Sequence, residues 1–180
     1  MSGEPPQVLA TGRYLRLVAQ GHWEYAERTT ASGAVAIVAV TDSRRLVLIE
    51  QFRIPLGCPV IELPAGLAGD VPEDAALDPA IALANAAHRE LLEETGYEAE
   101  QMRCLADGPT SAGLTSEIVT FFHATGLRRT QTGGGDEHEA ITVHEPPLDE
   151  LHAWLAARAA AGAAIDPKIY AGLYLIRAAL

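Results

Sequence analysis

Cysteine is almost absent from this chain of 180 residues, which has only two, Cys58 and Cys104. Their spacing matches no metal-binding pair and suggests no disulfide framework, so we expect two buried thiols without a chemical role. Long apolar runs are missing as well, because none approaches the ~20 residues of a membrane-spanning helix. The N-terminal residues MSGEPPQ lack the apolar centre of a signal peptide. Together these absences predict a cytoplasmic protein that does not enter a membrane.

Positive charge is also scarce, since 24 acidic residues stand against 13 basic ones and the net charge is −11. Proteins that bind nucleic acid usually carry a basic stripe, and the sequence has none, which argues against a nucleic-acid partner. No nucleophile elbow is present, so a covalent serine mechanism is not indicated. If a chain of this charge acts on a small polyanion, we expect metal ions to supply the missing positive charge.

What the sequence does contain is the acidic run RELLEETGY at residues 89–97. On a helix, Glu90, Glu93 and Glu94 project from one face, with neighbouring Cβ atoms about 5–6 Å apart. Carboxylates so close repel one another unless a cation lies among them, and Mg²⁺ or Mn²⁺ prefers carboxylate oxygens and substrate phosphates. Gly96 ends the helix at the usual glycine position. The run therefore predicts a metal site, although such a face can also be an ordinary solvated surface.

Upstream of this run, Glu62–Gly66 reads ELPAG, a short strand that enters a turn. The two segments together resemble the signature of the Nudix hydrolases, G-x5-E-x7-R-E-U-x-E-E-x-G-U, where U is aliphatic and Tyr97 takes the last place. The stretch before Arg89 is longer than the signature allows, which predicts an inserted loop at about residues 69–78. Ile81 stands where the signature has its first glutamate, and spacing leaves open whether Glu73 or Asp78 replaces it.

The pattern of the remaining sequence predicts a mixed α/β fold. Asp78 followed by Pro79 indicates the start of a helix that runs to Thr95. The resemblance implies a Nudix-type mixed β-sheet sandwich (α/β/α) at residues 33–180, preceded by an antiparallel β-hairpin extension at residues 1–32. The strands and later helices are predicted at Tyr14–Ala19, Trp23–Arg28, Ala34–Val40 and Arg45–Arg53 (a hairpin), Val60–Leu63, Glu100–Ala106, Ile118–Ala124, Ala140–His144, Leu148–Ala161 and from Asp166 to about Ala179.

Further segments resemble one branch of this family, the ADP-ribose and nucleoside-diphosphate-sugar pyrophosphatases. In the segment QFRIP at residues 51–55, the resemblance places Arg53 beside the substrate phosphates. It makes the carbonyl of Ala65 a metal ligand together with Glu90 and Glu94. Glu93 becomes a further or water-mediated ligand with a catalytic role.

A glycine-rich stretch, Thr130–His138, is predicted to be a flexible loop that closes over the metals. In the related enzymes, glutamates of this loop act as the general base and as an additional metal ligand. We assign Glu137 as the base and Glu139 as the ligand, and the sequence leaves open which of the two is the base. A plain acidic loop is the alternative.

The segment WEYAERTT at residues 23–30 resembles a base-binding segment of the same branch. The resemblance implies that Trp23 stacks on the adenine across the interface of an exchanged homodimer, with Glu24 and Arg28 at the base edge. Tyr14 is a weaker candidate for the other face of the base. An ordinary strand face explains the aromatic residues equally well. Glu117, in a loop similar to that of the branch, is assigned to the substrate.

The predicted reaction is metal-dependent hydrolysis of the diphosphate of a nucleoside diphosphate linked to a sugar, with ADP-ribose giving AMP and ribose 5-phosphate. Ala112 stands where ADP-ribose enzymes usually have proline, which keeps GDP-mannose, another nucleotide sugar or a dinucleotide open as substrates. A nucleotide-binding domain without turnover is the third possibility. The sequence does not indicate the preferred base or sugar, or which phosphorus is attacked.

Overall fold

A computed structural model of the chain describes residues 5–31, 33–69, 77–135 and 140–179. Within these ranges the chain forms eleven β-strands and three α-helices. The strands are β1 (Gln7–Thr11), β2 (Leu15–Gln20), β3 (Trp23–Arg28), β4 (Gly33–Ala39), β5 (Leu48–Arg53), β6 (Cys58–Glu62), β7 (Ala65–Ala68), β8 (Tyr97–Pro109), β9 (Ile118–Arg129), β10 (Thr142–His144) and β11 (Ala164–Ile165). The helices are α1 (Pro79–Thr95), α2 (Leu151–Ala160), which follows a 3-10 turn (Leu148–Glu150), and α3 (Lys168–Ile176).

Helix α1 has the bounds that its local signals predict. The Asp78 side chain accepts a hydrogen bond of 2.9 Å from the Ala80 N–H, and Pro79 occupies the first turn, where a missing N–H costs nothing. At the other end Gly96 adopts φ 77° and its N–H donates to the Leu92 carbonyl at 2.8 Å. This left-handed backbone suits glycine and stops the helix immediately after the acidic face.

Two four-stranded sheets, each with parallel and antiparallel pairs, form the main part of the fold. One sheet has the strand order β7-β4-β9-β8 with β4 and β9 parallel, and the other has the order β10-β5-β6-β11. Alternate residues of β4 enter different apolar clusters: Val35 and Ile37 pack with Leu91 of α1, whereas Ala36 packs with Ile169 of α3. The helices therefore cover opposite faces, and the predicted mixed α/β sandwich is confirmed.

The N-terminal extension is a three-stranded antiparallel sheet, β1-β2-β3, in which β2 and β3 form the predicted hairpin and β1 adds a further strand. Val18 is buried, but several large apolar side chains of this sheet and its turns are exposed. They are Val8, Leu9, Tyr14, Leu15, Leu17 and Trp23. Backbone hydrogen bonds from Ala26 N to Leu114 O at 2.8 Å and from Ser116 N to Ala26 O at 3.2 Å join the sheet to the rest of the chain.

The predicted hairpin of Ala34–Val40 and Arg45–Arg53 forms only beside its turn. The Thr41 N–H donates to the Arg45 carbonyl at 2.9 Å, Val40 and Leu46 form an isolated antiparallel bridge, and the Val47 N–H donates to the Ala39 carbonyl at 2.9 Å. Beyond that point the two segments separate, because β4 and β5 belong to different sheets.

The expectation of two buried thiols is also wrong. Cys104 is exposed, because it lies on β8, the last strand at one edge of its sheet, while Cys58 is half-buried. Within the described ranges, none of the helices has the length and apolar character required to cross a membrane.

Candidate functional site

A cavity of about 590 Å³ opens beside the acidic end of α1. It lies between that helix, the strands β6 and β7, and the loop between β8 and β9, and it is lined by charged side chains of both signs. We call it the acidic cavity. Its charged lining residues are Arg28, Arg53, Glu62, Arg89, Glu90, Glu93, Glu117 and Lys168.

Glu94 is hydrogen-bonded to a residue that lines this cavity. Its side chain is buried, and one carboxylate oxygen accepts a hydrogen bond of 2.9 Å from the backbone N–H of Ala65, the first residue of β7. Glu93, one position earlier on the helix, is exposed and lines the cavity. The structure therefore brings the predicted residues Ala65, Glu93 and Glu94 to one place.

Glu90 packs directly against the backbone of β7. A Cβ atom at Gly66 would overlap the Glu90 carboxylate, so the carboxylate can occupy its present position only because residue 66 is glycine. Arg89 fixes the same region, since its Nη2 donates to the Leu67 carbonyl and to Glu90 Oε1, each at 3.1 Å. The glycine of ELPAG thus creates the space that the Glu90 carboxylate occupies.

Part of the repulsion among the acids is relieved by the protein itself. Arg89 forms an ion pair with Glu90, and the Ala65 N–H supports the charge of Glu94. Among the residues that the structure describes, no three His, Cys, Asp or Glu side chains converge as a metal site. The groups at the cavity are hard oxygen donors, however, and this donor set fits Mg²⁺ or Mn²⁺ better than a soft metal.

Arg53 lines the same cavity as the acidic end of the helix. Its Nε donates to Glu62 Oε2 at 2.8 Å, and the Glu62 side chain is almost fully buried on β6. The turn after β5 is tight, with the Gly57 N–H donating to the Arg53 carbonyl at 2.9 Å. A buried carboxylate therefore orients a guanidinium that lines the cavity, as required of a residue that contacts phosphate oxygens.

The glycine run 133–135 is bound to the end of α1. The N–H groups of Gly134 and Gly135 donate to the carbonyls of Glu94 and Glu93 at 2.9 and 3.1 Å. A Cβ at Gly133 would overlap the backbone of Thr95, so this contact also depends on glycine. The described part of the predicted flexible loop is thus anchored beside the acids. Glu137 and Glu139 lie outside the described residues.

Tyr97, which takes the aliphatic place of the signature, adds a second anchor for this loop. Its hydroxyl donates to Glu145 at 3.0 Å, and burial, together with this hydrogen bond, raises the pKa of Tyr97. Arg129 also contacts Glu145, at 3.4 Å, and donates to the Thr132 carbonyl at 3.1 Å. The phenol and the guanidinium therefore tie β8, β9 and the loop together.

Arg28 and Glu117, both predicted to bind substrate, form an ion pair with each other at the edge of the acidic cavity. They lie 89 residues apart in sequence. This pair joins the end of β3 to the loop between β8 and β9.

The other predicted base-binding residues lie elsewhere. Trp23 lines a separate cavity of about 490 Å³ with Tyr25, Ala112 and Gly113. A strand rises about 3.3 Å per residue, so Trp23 is roughly 17 Å along β3 from Arg28. Glu24 is exposed on β3 and Tyr14 is exposed just before β2. Within one copy of the chain, the structure does not bring Trp23 to the acidic cavity.

The chain is similar to known proteins in sequence and in fold. The family model described as the NUDIX domain matches residues 30–170. The chain belongs to the Nudix family. The match runs from β4 to the first turn of α3, and therefore includes the whole acidic cavity apart from Arg28.

Two curated relatives match about two thirds of this Nudix chain. It is 40% identical over 121 residues to the methanol dehydrogenase activator of Bacillus methanolicus, and 38% identical over 121 residues to the ADP-ribose pyrophosphatase of Bacillus subtilis (strain 168). Each match covers 66% of this chain and 60% of the relative. The chain thus spans about three fifths of the length of these relatives.

A solved structure described as an ADP compounds hydrolase has the same fold. The two superpose with a TM-score of 0.69, covering 96% of this chain and 90% of the other. Sequence identity is 22%, so this likeness concerns the fold alone.

The Nudix site contains residues to which the sequence analysis gave no role. Glu62 orients Arg53, and Lys168 at the start of α3 lines the acidic cavity. Glu62 belongs to ELPAG, which resembles part of the family signature, and Lys168 lies in the last predicted helix, which starts at Asp166. The signal that was available was charge: each is an ionisable residue next to a predicted buried strand or helix start, where charge is uncommon without a partner.

Proposed function

We propose that this Nudix protein hydrolyses the diphosphate bond of a nucleoside diphosphate linked to a sugar, in a reaction that depends on Mg²⁺ or Mn²⁺. ADP-ribose is the substrate we favour, and its products would be AMP and ribose 5-phosphate. The relative from B. subtilis, an ADP-ribose pyrophosphatase, supports this choice of substrate.

One observation carries the proposal. Glu90 packs against Gly66 of β7 and Glu94 accepts a hydrogen bond from the Ala65 N–H, while Arg53 lines the same cavity as Glu90 and Ala65. A site that combines fixed oxygen donors with an oriented guanidinium suits a diphosphate whose charge is shared between a cation and an arginine. Acids of an ordinary solvated face stay exposed, whereas the Glu94 side chain is buried.

Each residue of the site has a separate role in the proposed reaction. Arg53 binds and orients the phosphate oxygens, and Glu90, Glu94 and the Ala65 carbonyl would hold the metal, with Glu93 beside them. When bound, the ion neutralises the diphosphate and acidifies a water. Glu137 or Glu139 takes the proton from the attacking water, whose oxygen bonds to phosphorus as the bridging P–O bond breaks. The glycine run anchored at Glu93 and Glu94 supports this placement of the loop.

We also propose a homodimer in which the N-terminal sheet of one copy brings Trp23 to the nucleobase bound by the other. The exposed apolar side chains of that sheet support an interface, since large apolar patches on a protein surface usually mark one. The separation of Trp23 from the acidic cavity of its own copy supports the exchange. The cytoplasmic location remains a prediction from the sequence.

The first test is a substrate panel. The protein is incubated with ADP-ribose, GDP-mannose or a dinucleoside polyphosphate, each with Mg²⁺, with Mn²⁺ and with a chelator, and released monophosphates are identified by mass spectrometry. We expect AMP and ribose 5-phosphate from ADP-ribose only when metal is present. Preferential cleavage of GDP-mannose would move the assignment to that substrate, and absence of any product would indicate a binding domain.

The second test separates catalysis from folding. Glu94→Gln removes the charge but keeps an oxygen that accepts from the Ala65 N–H, so we expect turnover to fall by about 100-fold or more with little change in melting temperature. Glu98→Gln, which loosens an exposed ion pair with Arg128, is the matched control and should keep full turnover. Turnover near that of the control in Glu94→Gln would refute the assignment.

A further inference from the structure

A second cavity adjoins the acidic one. It has a volume of about 640 Å³, and its lining is mostly apolar, with Val60, Phe121 and Leu175 among the residues. We call it the apolar cavity. Five residues line both cavities and therefore mark the junction between them: Arg53, Glu62, Thr110, Val119 and Lys168.

Lys168 is the single lysine of the chain, and the structure places it at this junction. Its Nζ forms an ion pair with Asp166, whose other carboxylate oxygen accepts from the Lys168 backbone N–H at 2.8 Å. The Asp166 N–H in turn donates to the Ile61 carbonyl at 3.0 Å, which attaches the pair to β6. The ammonium is thus held at a fixed point by a carboxylate that is itself buried.

This arrangement is suited to a particular kind of ligand group. An ammonium has three donors, and among the described residues Asp166 is the side chain that accepts one of them. The pair carries no net charge and offers a donor next to an acceptor. A second anion would be repelled by Asp166 and by Asp107 in the same cavity, whereas adjacent hydroxyl groups fit such a pair. The apolar lining suits the C–H face of a ring.

We propose that Lys168, positioned by Asp166, binds the hydroxyl groups of the sugar at the distal end of the substrate, and that the apolar cavity receives this sugar. The inference rests on the proposed function, because the acidic cavity must hold the diphosphate. Lys168 is then a specificity residue that distinguishes a sugar from other groups on the same phosphate. It does not take part in bond cleavage.

The kinetic test uses two substrates that share the nucleoside diphosphate: ADP-ribose, and ADP esterified with ethanol. Lys168→Met should raise KM for ADP-ribose by about tenfold and leave KM for the ethyl ester nearly unchanged, because only ADP-ribose carries hydroxyl groups on the far side of the diphosphate. Arg177→Met removes a cation at the other end of α3 and should change neither KM. An equal rise for both substrates would mean that Lys168 contacts phosphate, and no rise would mean no contact; either result overturns the proposal.

A second measurement uses the wild-type protein and does not require turnover. Because the chain has one lysine, an amine-selective acetylating reagent labels a single side chain, which peptide mass spectrometry separates from the N-terminal amine. With a chelator present, saturating ADP-ribose should slow acetylation of Lys168 in the wild-type protein several-fold more than saturating ethyl ester. Equal protection would overturn the proposal. If the protein hydrolyses nothing yet shows this difference, the proposed function fails while the sugar site stands.

Discussion

The acidic cavity and the N-terminal sheet place their important side chains in opposite ways. At the cavity, Glu90 packs against Gly66 and Glu94 accepts from the Ala65 N–H, so both helix residues contact β7. Arg53 of β5 pairs with the buried Glu62 of β6. On the sheet, Trp23 and Leu17 are exposed, and Val18 is the residue that is buried. The cavity is organised within one chain, whereas the sheet offers apolar area that only a further surface can cover.

The largest effect that this comparison predicts concerns the glycine at the cavity. Gly66→Ala would force the Glu90 carboxylate away from β7, and a displacement of about 1 Å at a reacting site can cost about 100-fold in rate. The end of a flexible side chain can move cheaply, so we expect kcat/KM to fall by that amount while the melting temperature changes little.

The control is Gly33→Ala on β4, which pairs with β7 through the same ladder. Its added Cβ would lie 3.5 Å from the Leu83 side chain, an ordinary packing distance. Hydrolysis and thermal melting are measured for both variants. Equal loss of activity in the two, or unchanged activity in Gly66→Ala, would show that the position of Glu90 does not depend on this contact.

Local signals in the sequence were sufficient for the parts of the fold that are local. The bounds of α1 follow from Asp78 and Pro79 at one end and Gly96 at the other. Each of these residues acts only on the turn of the helix nearest to it. The pairing of β4 was not predictable in the same way, because its neighbours β7 and β9 are distant in sequence. A turn at residues 41–45 suggested a long hairpin, but the two segments pair only beside that turn before β4 and β5 enter different sheets.

The same distinction applies to the site. The acidic triplet and Arg53 could be found from motifs, because each lies within a short segment. The need for glycine at position 66 depends on Glu90, and the role of Lys168 depends on β6, so both required the folded chain. Glu117 was assigned to substrate from its segment, whereas its ion pair with Arg28 joins residues 89 positions apart. Spacing along the chain carries no information about such contacts.

A smaller effect is expected for the exposed tryptophan. Stacking of a base on an aromatic ring contributes about 1–3 kcal/mol, so Trp23→Ala should raise KM for ADP-ribose roughly tenfold with kcat largely retained. Tyr174→Ala, which removes an exposed aromatic ring on α3, is the control and should leave KM unchanged. An unchanged KM in Trp23→Ala would mean that the ring does not bind the base and that Trp23 is an ordinary residue of the strand.

A mixture of two variants tests whether the N-terminal sheet of one copy serves the cavity of another. If Trp23 serves the site of a second copy, a dimer of one Trp23→Ala chain and one Glu94→Gln chain contains one intact site. Unfolding and refolding an equal mixture should then restore about a quarter of all sites in dimers that assemble at random. No recovery of activity at low substrate concentration would mean that Trp23 and Glu94 act within the same copy, or that no exchange takes place.

The smallest predicted effect concerns stability, and it compares a histidine of the core with one of the N-terminal sheet. His123 is buried on β9, and burial, followed by the nearby Arg103, lowers its pKa from the ordinary value of 6.5. The unfolded chain therefore binds a proton at this residue more readily than the folded chain does. Stability consequently rises with pH across the window between the lowered pKa and 6.5, and is lost as the pH falls through that window.

Urea unfolding at about pH 7.5 and about pH 5.5 measures this loss. His123→Gln cannot be protonated, so its stability should fall less between the two values than that of the wild-type protein. His22→Gln, in the exposed turn between β2 and β3, should follow the wild-type protein. Because both variants keep every other titratable group, the difference between them isolates the buried imidazole. An identical fall in all three proteins would mean that His123 reaches water in the folded state, and that the sheet core around β9 is less closed than its packing indicates.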